Sequence, residues 1–325
     1  MSRYDFLLNG KNINDKILNF SYSENLDDVA SSFSFDALDD YGISQNNKIN
    51  RIQLLDKTTQ KVFYDGWITD WEHTTDVRKY HYLGFDVGFY LNKNKVIKQF
   101  TGENIGKSIK DLCKEYEINL TNLPEFKATI KKIYKDIAFA DILKELLQFE
   151  KDKGGLKDTY IDCKNGNLNI RQYKEEQYLS AIIANNISVS SHDTINNVRV
   201  TKSIQDMKNS IYYTDNNEKS VYKVVSENKA SISQFGLLRT VEKIDTNKKN
   251  NLKKLADEKL AELNKIKETY EGEMLGDYRV QKGKIIKLNI PQYNMTDTYL
   301  LRSVKHNIDS HKELISYSLD KYKWN

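Results

Sequence analysis

Apolar and polar positions follow two different periods along the chain, and the longest helical period lies in its last quarter. At 100° per residue, one face of 252–270 gathers the apolar positions Leu252, Leu255, Ala256, Leu260, Leu263, Ile266 and Tyr270. Gly272 follows as a residue that favours a helix end. We therefore predict one long amphipathic helix over 252–270, followed only by strands at 284–290, 297–308 and 313–322.

The first part of the chain has the period of two that is typical of half-buried strands. Phe33, Phe35 and Ala37 alternate with polar residues. The strands predicted on this basis are 3–8, 17–23, 31–37, 50–56, 62–75 and 77–89. Six such strands favour a β-barrel or sandwich, and we assign it to residues 1–98.

The pattern changes over residues 99–178. Thr101 can cap a helix that continues to Tyr116, and a second helix is predicted over 139–150. Asn165-Gly166 stands between two strand-like runs and is a strong hairpin signal, because both turn residues need positive φ. We predict a small α+β domain here.

Strand patterns return after residue 179, at 194–203, 210–214, 222–227 and 237–244, and then lead into the predicted helix. The sequence therefore predicts three domains. These are a β domain over 1–98, an α+β domain over 99–178, and a β domain with a helix over 179–325.

Composition narrows the function classes. The formal net charge is only +4 although 30% of residues are charged, which argues against a general nucleic-acid-binding field. No apolar run approaches the roughly 18 residues that span a membrane, so we expect no membrane insertion. The N-terminus lacks the apolar stretch of a signal peptide, and we expect assembly in the bacterial cytoplasm.

Motifs that carry chemistry are absent from the sequence. The five histidines lack metal-pair spacing, and there is no nucleophile elbow or phosphate-binding glycine loop. Carboxylate doublets occur at Asp39-Asp40, Glu115/Glu117 and Glu175-Glu176, and neither of the first two lies in an apolar surround that would raise a pKa. We predict no catalytic, cofactor-binding or metal-binding residues and no enzymatic activity.

Two residue sets leave alternatives open. Cys113 and Cys163 are interpreted as buried or surface thiols, while a disulfide between them is unsupported. An aromatic set can form a barrel wall or a sugar-stacking platform: Trp67, Trp71, Tyr80, Tyr82 and Phe89. We expect the histidines at 73, 81 and 306 to be surface or edge residues of strands.

Four stretches of sequence carry a resemblance to a known family. They are FYDGWITD at 63–70, the segment 101–118 that opens with TGENI, ASISQFGLL at 230–238, and the C-terminal helix followed by GDYRVQKGK at 276–284 and YLLRSVKHN at 299–307. Their order resembles the baseplate hub proteins of contractile phage tails and tail-like bacteriocins, of the XkdQ/YqbQ type related to the late-control-D group.

The resemblance implies a fold and a role. It implies two β-barrel domains like those of the tail tube protein, with a small α+β domain between them. It also implies a homotrimer in a virion or tail-like particle baseplate, which joins a sixfold tube to a threefold spike. The implied partners are the tube protein, the spike protein and other baseplate proteins. The alternatives are a cell-wall hydrolase of the hub complex and a glycan-binding tail component.

Overall fold

The computed structural model describes residues 3–73, 78–173, 179–180, 195–215, 223–244, 252–276, 279–287, 297–309 and 312–322. Over these residues, strands outnumber helices, with 23 strands and 5 helices, so the mainly β class is confirmed. The chain divides into two compact units. The first unit combines Met1–Val198 with Glu271–Asn325, and the second is Arg199–Tyr270.

The elements are numbered in chain order. Strands β1–β9 are Tyr4–Leu8, Lys11–Asn12, Ile17–Asn25, Ser32–Ala37, Ser44–Gln45, Lys48–Ile49, Arg51–Asp56, Val62–His73 and Tyr80–Phe85. Strands β10–β15 are Lys95–Asn104, Leu120–Asn122, Thr129–Ala138, Thr159–Lys164, Asn167–Gln172 and Leu179–Ser180. Strands β16–β23 are Ile195–Ser203, Ser210–Asp215, Lys223–Glu227, Arg239–Ile244, Lys267–Leu275, Ile285–Lys287, Thr298–Asp309 and Glu313–Lys321. Helices α1–α5 are Gly88–Lys93, Ile105–Glu115, Phe139–Asp152, Lys229–Phe235 and Leu252–Leu263.

The main sheet of the first unit is built from both ends of the chain. Its strands run in the order β23-β22-β3-β4-β9-β8-β7-β1-β2, and β21 pairs with β22. The C-terminal strand β22 pairs antiparallel with the N-terminal strand β3, which places His306 opposite Tyr22 and Asn307 opposite Ser21. Strands on both sides of the boundary predicted at residue 178 therefore share one sheet. The three-domain division and the two tube-like barrels stay predictions.

One face of this sheet forms an apolar core. Phe20, Phe33, Phe35 and Tyr82 are almost fully buried on it, in agreement with the period of two in the sequence. Gly84 lies under this core, because a Cβ there would come within 2.4 Å of the Phe33 ring and 2.1 Å of the Trp67 carbonyl oxygen. The aromatic packing therefore depends on a backbone position without a side chain.

A second core of the first unit lies among three helices and a two-stranded ribbon. Helices α1, α2 and α3 contribute Leu91, Ile109 and Leu143, and the β10–β12 ribbon contributes Phe100 and Tyr134. This packing is the expected use of amphipathic helices. Helix α1 was not predicted, since six residues are too few to show a helical period.

Two details of the middle segment test the sequence predictions. The helix expected to follow Thr101 begins only at Ile105, because the Asn104 side chain accepts from the Gly106 and Lys107 N–H groups while Thr101 belongs to β10. The hairpin at Asn165-Gly166 is confirmed, with φ of 53° and 73° at the two turn residues.

The second unit contains a three-stranded sheet in the order β18-β17-β19, covered on one face by helix α5. Ile211 on β17 and Ala256 on α5 are fully buried in the same cluster between the sheet and the helix, whereas Leu255 is 46% exposed. The helix therefore presents Ala256 to the sheet and turns Leu255 to solvent, which corrects the predicted apolar face.

The predicted helix over 252–270 is wrong in length. Helix α5 ends at Leu263, and Lys267–Leu275 is strand β20. Tyr270, Gly272 and Met274 alternate as buried positions, so this segment obeys a period of two. Gly272 is a residue of this strand, and no side chain fits there because a Cβ would lie 2.4 Å from the Tyr317 hydroxyl oxygen.

Candidate functional site: a polar sheet face above a buried ionic junction

The outer face of the main sheet carries mainly serine and other polar side chains, which lie in rows across neighbouring strands. One row follows the register Ser316, Lys305, Ser23 and Ser32 across β23, β22, β3 and β4. The next row is Asn307, Ser21, Ser34 and Leu83, across β22, β3, β4 and β9. Because side chains alternate between faces, these residues all lie opposite the aromatic core.

The hydroxyl groups on this polar face bind one another. Ser21 Oγ lies 2.9 Å from Ser34 Oγ, and Ser303 Oγ lies 2.6 Å from Ser318 Oγ. Cross-strand hydroxyl pairs stabilise a sheet and leave few strong donors directed outwards. On the polar face these pairs connect β3 to β4 and β22 to β23.

Asp36 marks one side of the polar face. Its carboxylate accepts hydrogen bonds from Asn19 Nδ2 and Lys79 Nζ, each at 2.8 Å, and contacts His81 Nδ1 at 2.7 Å. Partial burial opposes the charged form, but these three partners outweigh it and hold the pKa of Asp36 below its usual range. The carboxylate is therefore fixed as a structural anion.

Below the face, Lys282 ties the C-terminal segment to the loop after β3. This side chain is 1% exposed, and its backbone N–H donates to Glu24 Oε1 at 2.6 Å. Its ammonium group donates to the carbonyl oxygens of Asn25 at 3.3 Å and Asp28 at 3.2 Å. A buried cation that holds residues more than 250 positions away in sequence fixes the meeting of the two chain ends.

Asp86 is a second charged group in this junction. Its two carboxyl oxygens accept from the Ser31 N–H at 3.0 Å and the Gly88 N–H at 2.8 Å, which positions helix α1 after β9. Burial raises the pKa of Asp86 to about 7, although Lys282 and the backbone donors oppose the rise. This buried carboxyl therefore changes its charge near neutral pH.

His306 completes the junction and corrects a prediction. The sequence placed it at a strand surface, but it is fully buried. Its Nε2 donates to the Val280 carbonyl oxygen at 2.9 Å, and its Nδ1 lies 2.7 Å from Glu313 Oε1. Its ring stacks on Tyr22 with centroids 4.6 Å apart. The alternation of Val304, His306 and Ile308 was the available signal for burial.

The candidate chemical residues of the sequence do not converge. Asp39 and Asp40 lie exposed after β4, and Glu115 and Glu117 lie at the end of α2. The doublet at 175–176 lies outside the described residues. Within the described ranges, no group of three His, Cys, Asp or Glu side chains could hold a metal ion.

The cysteines and aromatic residues have structural positions. Cys113 and Cys163 are buried free thiols, and burial raises the pKa of Cys113 to about 12 and that of Cys163 well above its usual range. Such thiols are poor nucleophiles at neutral pH. Tyr82 is in the core, whereas Trp71 is 41% exposed, so the aromatic set is not one continuous wall.

The sequence profile of the YqbQ-like family matches residues 20–320. The chain belongs to the YqbQ-like family. A relative in this comparison is the uncharacterized protein YqbQ of Bacillus subtilis strain 168, which is 24% identical over 229 residues, or 69% of this chain and 68% of that protein. The family resemblance found in the sequence is therefore confirmed.

Solved structures share the fold over almost the whole chain. The 43 kDa tail protein of prophage MuSo2 from Shewanella oneidensis matches with a TM-score of 0.68 at 12% identity, and covers 98% of this chain and 97% of its own. An Escherichia coli type VI secretion component, described as similar to T4 tail proteins gp27 and gp5, matches with a TM-score of 0.57 at 9% identity. The coverage there is 95% of this chain and 74% of that protein.

The helices of this YqbQ-like chain can be compared with the length and apolar character that a membrane-spanning helix requires. Among the residues that the structure describes, no helix is both long and apolar enough to cross a bilayer.

Proposed function

We propose that this protein is a structural component of a phage tail or tail-like particle, and that it acts as the trimeric hub of the baseplate. The observation that carries the proposal is the fold, which the 43 kDa tail protein of prophage MuSo2 shares over 98% of this chain and 97% of its own length. Membership of the YqbQ-like family and the fold shared with prophage tail proteins support it.

The physical role follows from symmetry. If each chain supplies two tube-like barrels, three chains place six similar barrels in a ring, which can match a sixfold tube. The three chains are also related by a threefold axis, which can match a threefold spike. Such an adaptor makes and breaks no covalent bond. Its work is done by permanent interfaces, which also cover the strand edges that would otherwise promote aggregation.

The polar sheet face suits a passage through the middle of such a ring. Paired serine hydroxyls carry no charge that would hold a passing polymer, and the exposed Leu83 at the end of their row is a single apolar side chain among them. Lys305 is the exposed cation in its central rows. We therefore propose that the three chains turn this face towards the central channel.

Light scattering and electron microscopy of the purified chain test the proposal. The expected result is a particle of three chains, with threefold images that show six lobes. Closed rings of two-, four- or eightfold symmetry would contradict the hub assignment. Clearing of a peptidoglycan suspension that disappeared after a single carboxylate substitution would favour a hydrolase instead.

A further inference from the structure

A cleft of about 240 Å³ lies in the first unit between helix α3, the loop after β3 and the start of β13. Three of the side chains that line it are apolar and buried, namely Val29, Leu147 and Ile161. They belong to the core formed by the helices. The volume exceeds the roughly 150 Å³ of a protein cavity that binds benzene, so two side chains of a ligand can enter the cleft.

Contacts within the unit hold the walls of this cleft together. Lys144 Nζ on α3 donates to the Asp27 carbonyl oxygen at 2.6 Å, which ties the helix to the loop after β3. The Tyr173 N–H donates to the Asp158 carbonyl oxygen at 3.0 Å. The Tyr160 and Tyr173 rings stack with their centroids 5.2 Å apart. The cleft is therefore formed without a ligand, which lowers the cost of binding one.

Two opposite charges line the cleft without a partner. Asp28 is on the loop after β3 and Lys151 is in the last turn of α3, and both are exposed. Over the described part of the chain, neither the Asp28 carboxylate nor the Lys151 ammonium group makes a hydrogen bond or an ion pair, with each other or with another residue. The other charged groups of the lining have partners, since Lys144 binds a carbonyl oxygen and Asp158 accepts from the Tyr322 hydroxyl at 3.2 Å. One anion and one cation are therefore available to a ligand.

These two charges determine the chemistry of the ligand. A purely anionic ligand would be repelled by Asp28, and a purely cationic ligand would be repelled by Lys151. An apolar ligand would take both charges out of water and leave them unpaired, which is costly. A ligand with one cation and one anion on apolar stems matches both the charges and the buried lining. An extended polypeptide supplies this arrangement, because neighbouring side chains point to opposite sides.

We propose that the cleft binds an extended segment of a partner protein in which a basic residue stands next to an acidic one. The basic side chain pairs with Asp28, and the acidic side chain pairs with Lys151. Their aliphatic stems lie against the apolar lining, as long charged side chains commonly do. The inference deepens the proposed hub function, because it gives the chemistry of one contact between this chain and another polypeptide of the assembly.

Blocked dipeptides test the cleft, with ligand-observed NMR titration as the measurement because it detects weak binding. The probes are acetyl-lysyl-glutamyl-amide, an analogue with methionine in place of lysine, an analogue with glutamine in place of glutamate, and the uncharged peptide with both replacements. The wild-type chain should bind the lysyl-glutamyl peptide about threefold or more tightly than either single analogue. Asp28→Asn should remove the preference for lysine over methionine and keep the preference for glutamate over glutamine. Lys151→Met should have the reverse effect.

Asp111→Asn and Lys110→Met are the matched controls, since both residues are exposed on α2 and neither lines the cleft. The controls should keep both preferences, and circular dichroism checks that every variant is folded. Three results overturn the cleft as a peptide site: no binding of the lysyl-glutamyl peptide, preferences that Asp28→Asn and Lys151→Met leave unchanged, or tighter binding of the uncharged peptide. Each of them leaves the hub function standing, because that function is tested separately by the number of chains in the particle.

Discussion

The buried carboxyl of Asp86 should make the stability of the protein depend on pH near neutrality. Its folded-state pKa is about 7, against an ordinary value of 3.8, because burial penalises the charged form. Between these two values the folded chain holds a proton that the unfolded chain has released. Stability from this group is therefore complete below about pH 4 and is lost as the pH rises through about 7.

The size of the effect follows from the two pKa values. The free energy of unfolding should fall by up to about 1.4 kcal/mol per pH unit, which gives a loss on the order of 2 to 3 kcal/mol between about pH 5 and about pH 8. Tyr64, Cys163 and Lys282 also face the carboxyl. The pKa values of Tyr64 and Cys163 are raised well above their usual ranges by burial, so those two groups stay neutral throughout.

Asp86→Asn removes the titration and keeps the shape. The amide oxygen can still accept from one backbone donor, but its NH₂ group faces the other, which costs about 1–3 kcal/mol at every pH. The variant should therefore be less stable than wild type near pH 5, and the gap should narrow by an amount on the order of 2 to 3 kcal/mol near pH 8. Urea unfolding of both chains at each pH measures this difference. A gap that stays constant would show that Lys282 keeps Asp86 ionised and that our account of its burial is wrong.

Two further predictions concern single positions with matched controls. Glu150 is fully buried and accepts from the Lys127, Ala128 and Leu156 N–H groups, so Glu150→Ala should lower the free energy of unfolding by roughly 3 kcal/mol or more. Glu145 is half-exposed and forms an ion pair with Lys132, so the control Glu145→Ala should change the free energy of unfolding by less than about 1 kcal/mol. Ala256→Asp should unfold the second unit, because it buries a charge against the sheet. The control Leu255→Asp should leave the melting temperature nearly unchanged, since Leu255 is exposed. Equal losses of melting temperature in the two variants would show that α5 faces the other way.

The parts of the fold that sequence predicts well are those set by local chemistry. Asn165-Gly166 specifies its own turn, and the apolar stripe of α3 specifies its packed face. The helix predicted over 252–270 is too long because Tyr270 fits the helical period and also fits the period of two that it shares with Gly272 and Met274. Tertiary pairing of β20 decided between them, and a single sequence does not contain that information.

The candidate site was missed for a related reason. Ser21 and Ser34 are unremarkable in sequence, and their shared face exists only because β3, β4 and β22 adopt one register. Lys282 shows the same limitation. A lysine between Gln281 and Gly283 gives the appearance of a solvated turn, yet it is almost fully buried beneath residues from the other end of the chain.

The junction joins strands that are far apart in the sequence. β22 is the neighbour of β3 on one side of the main sheet, although most of the described elements lie between them along the chain. Loop closure over such a separation is costly and comes late in folding. The polar sheet face and the buried contacts of Lys282 and His306 therefore form together, when the last strands pair. A substitution that prevents β22 from pairing with β3 should therefore disrupt the polar sheet face and the buried contacts together.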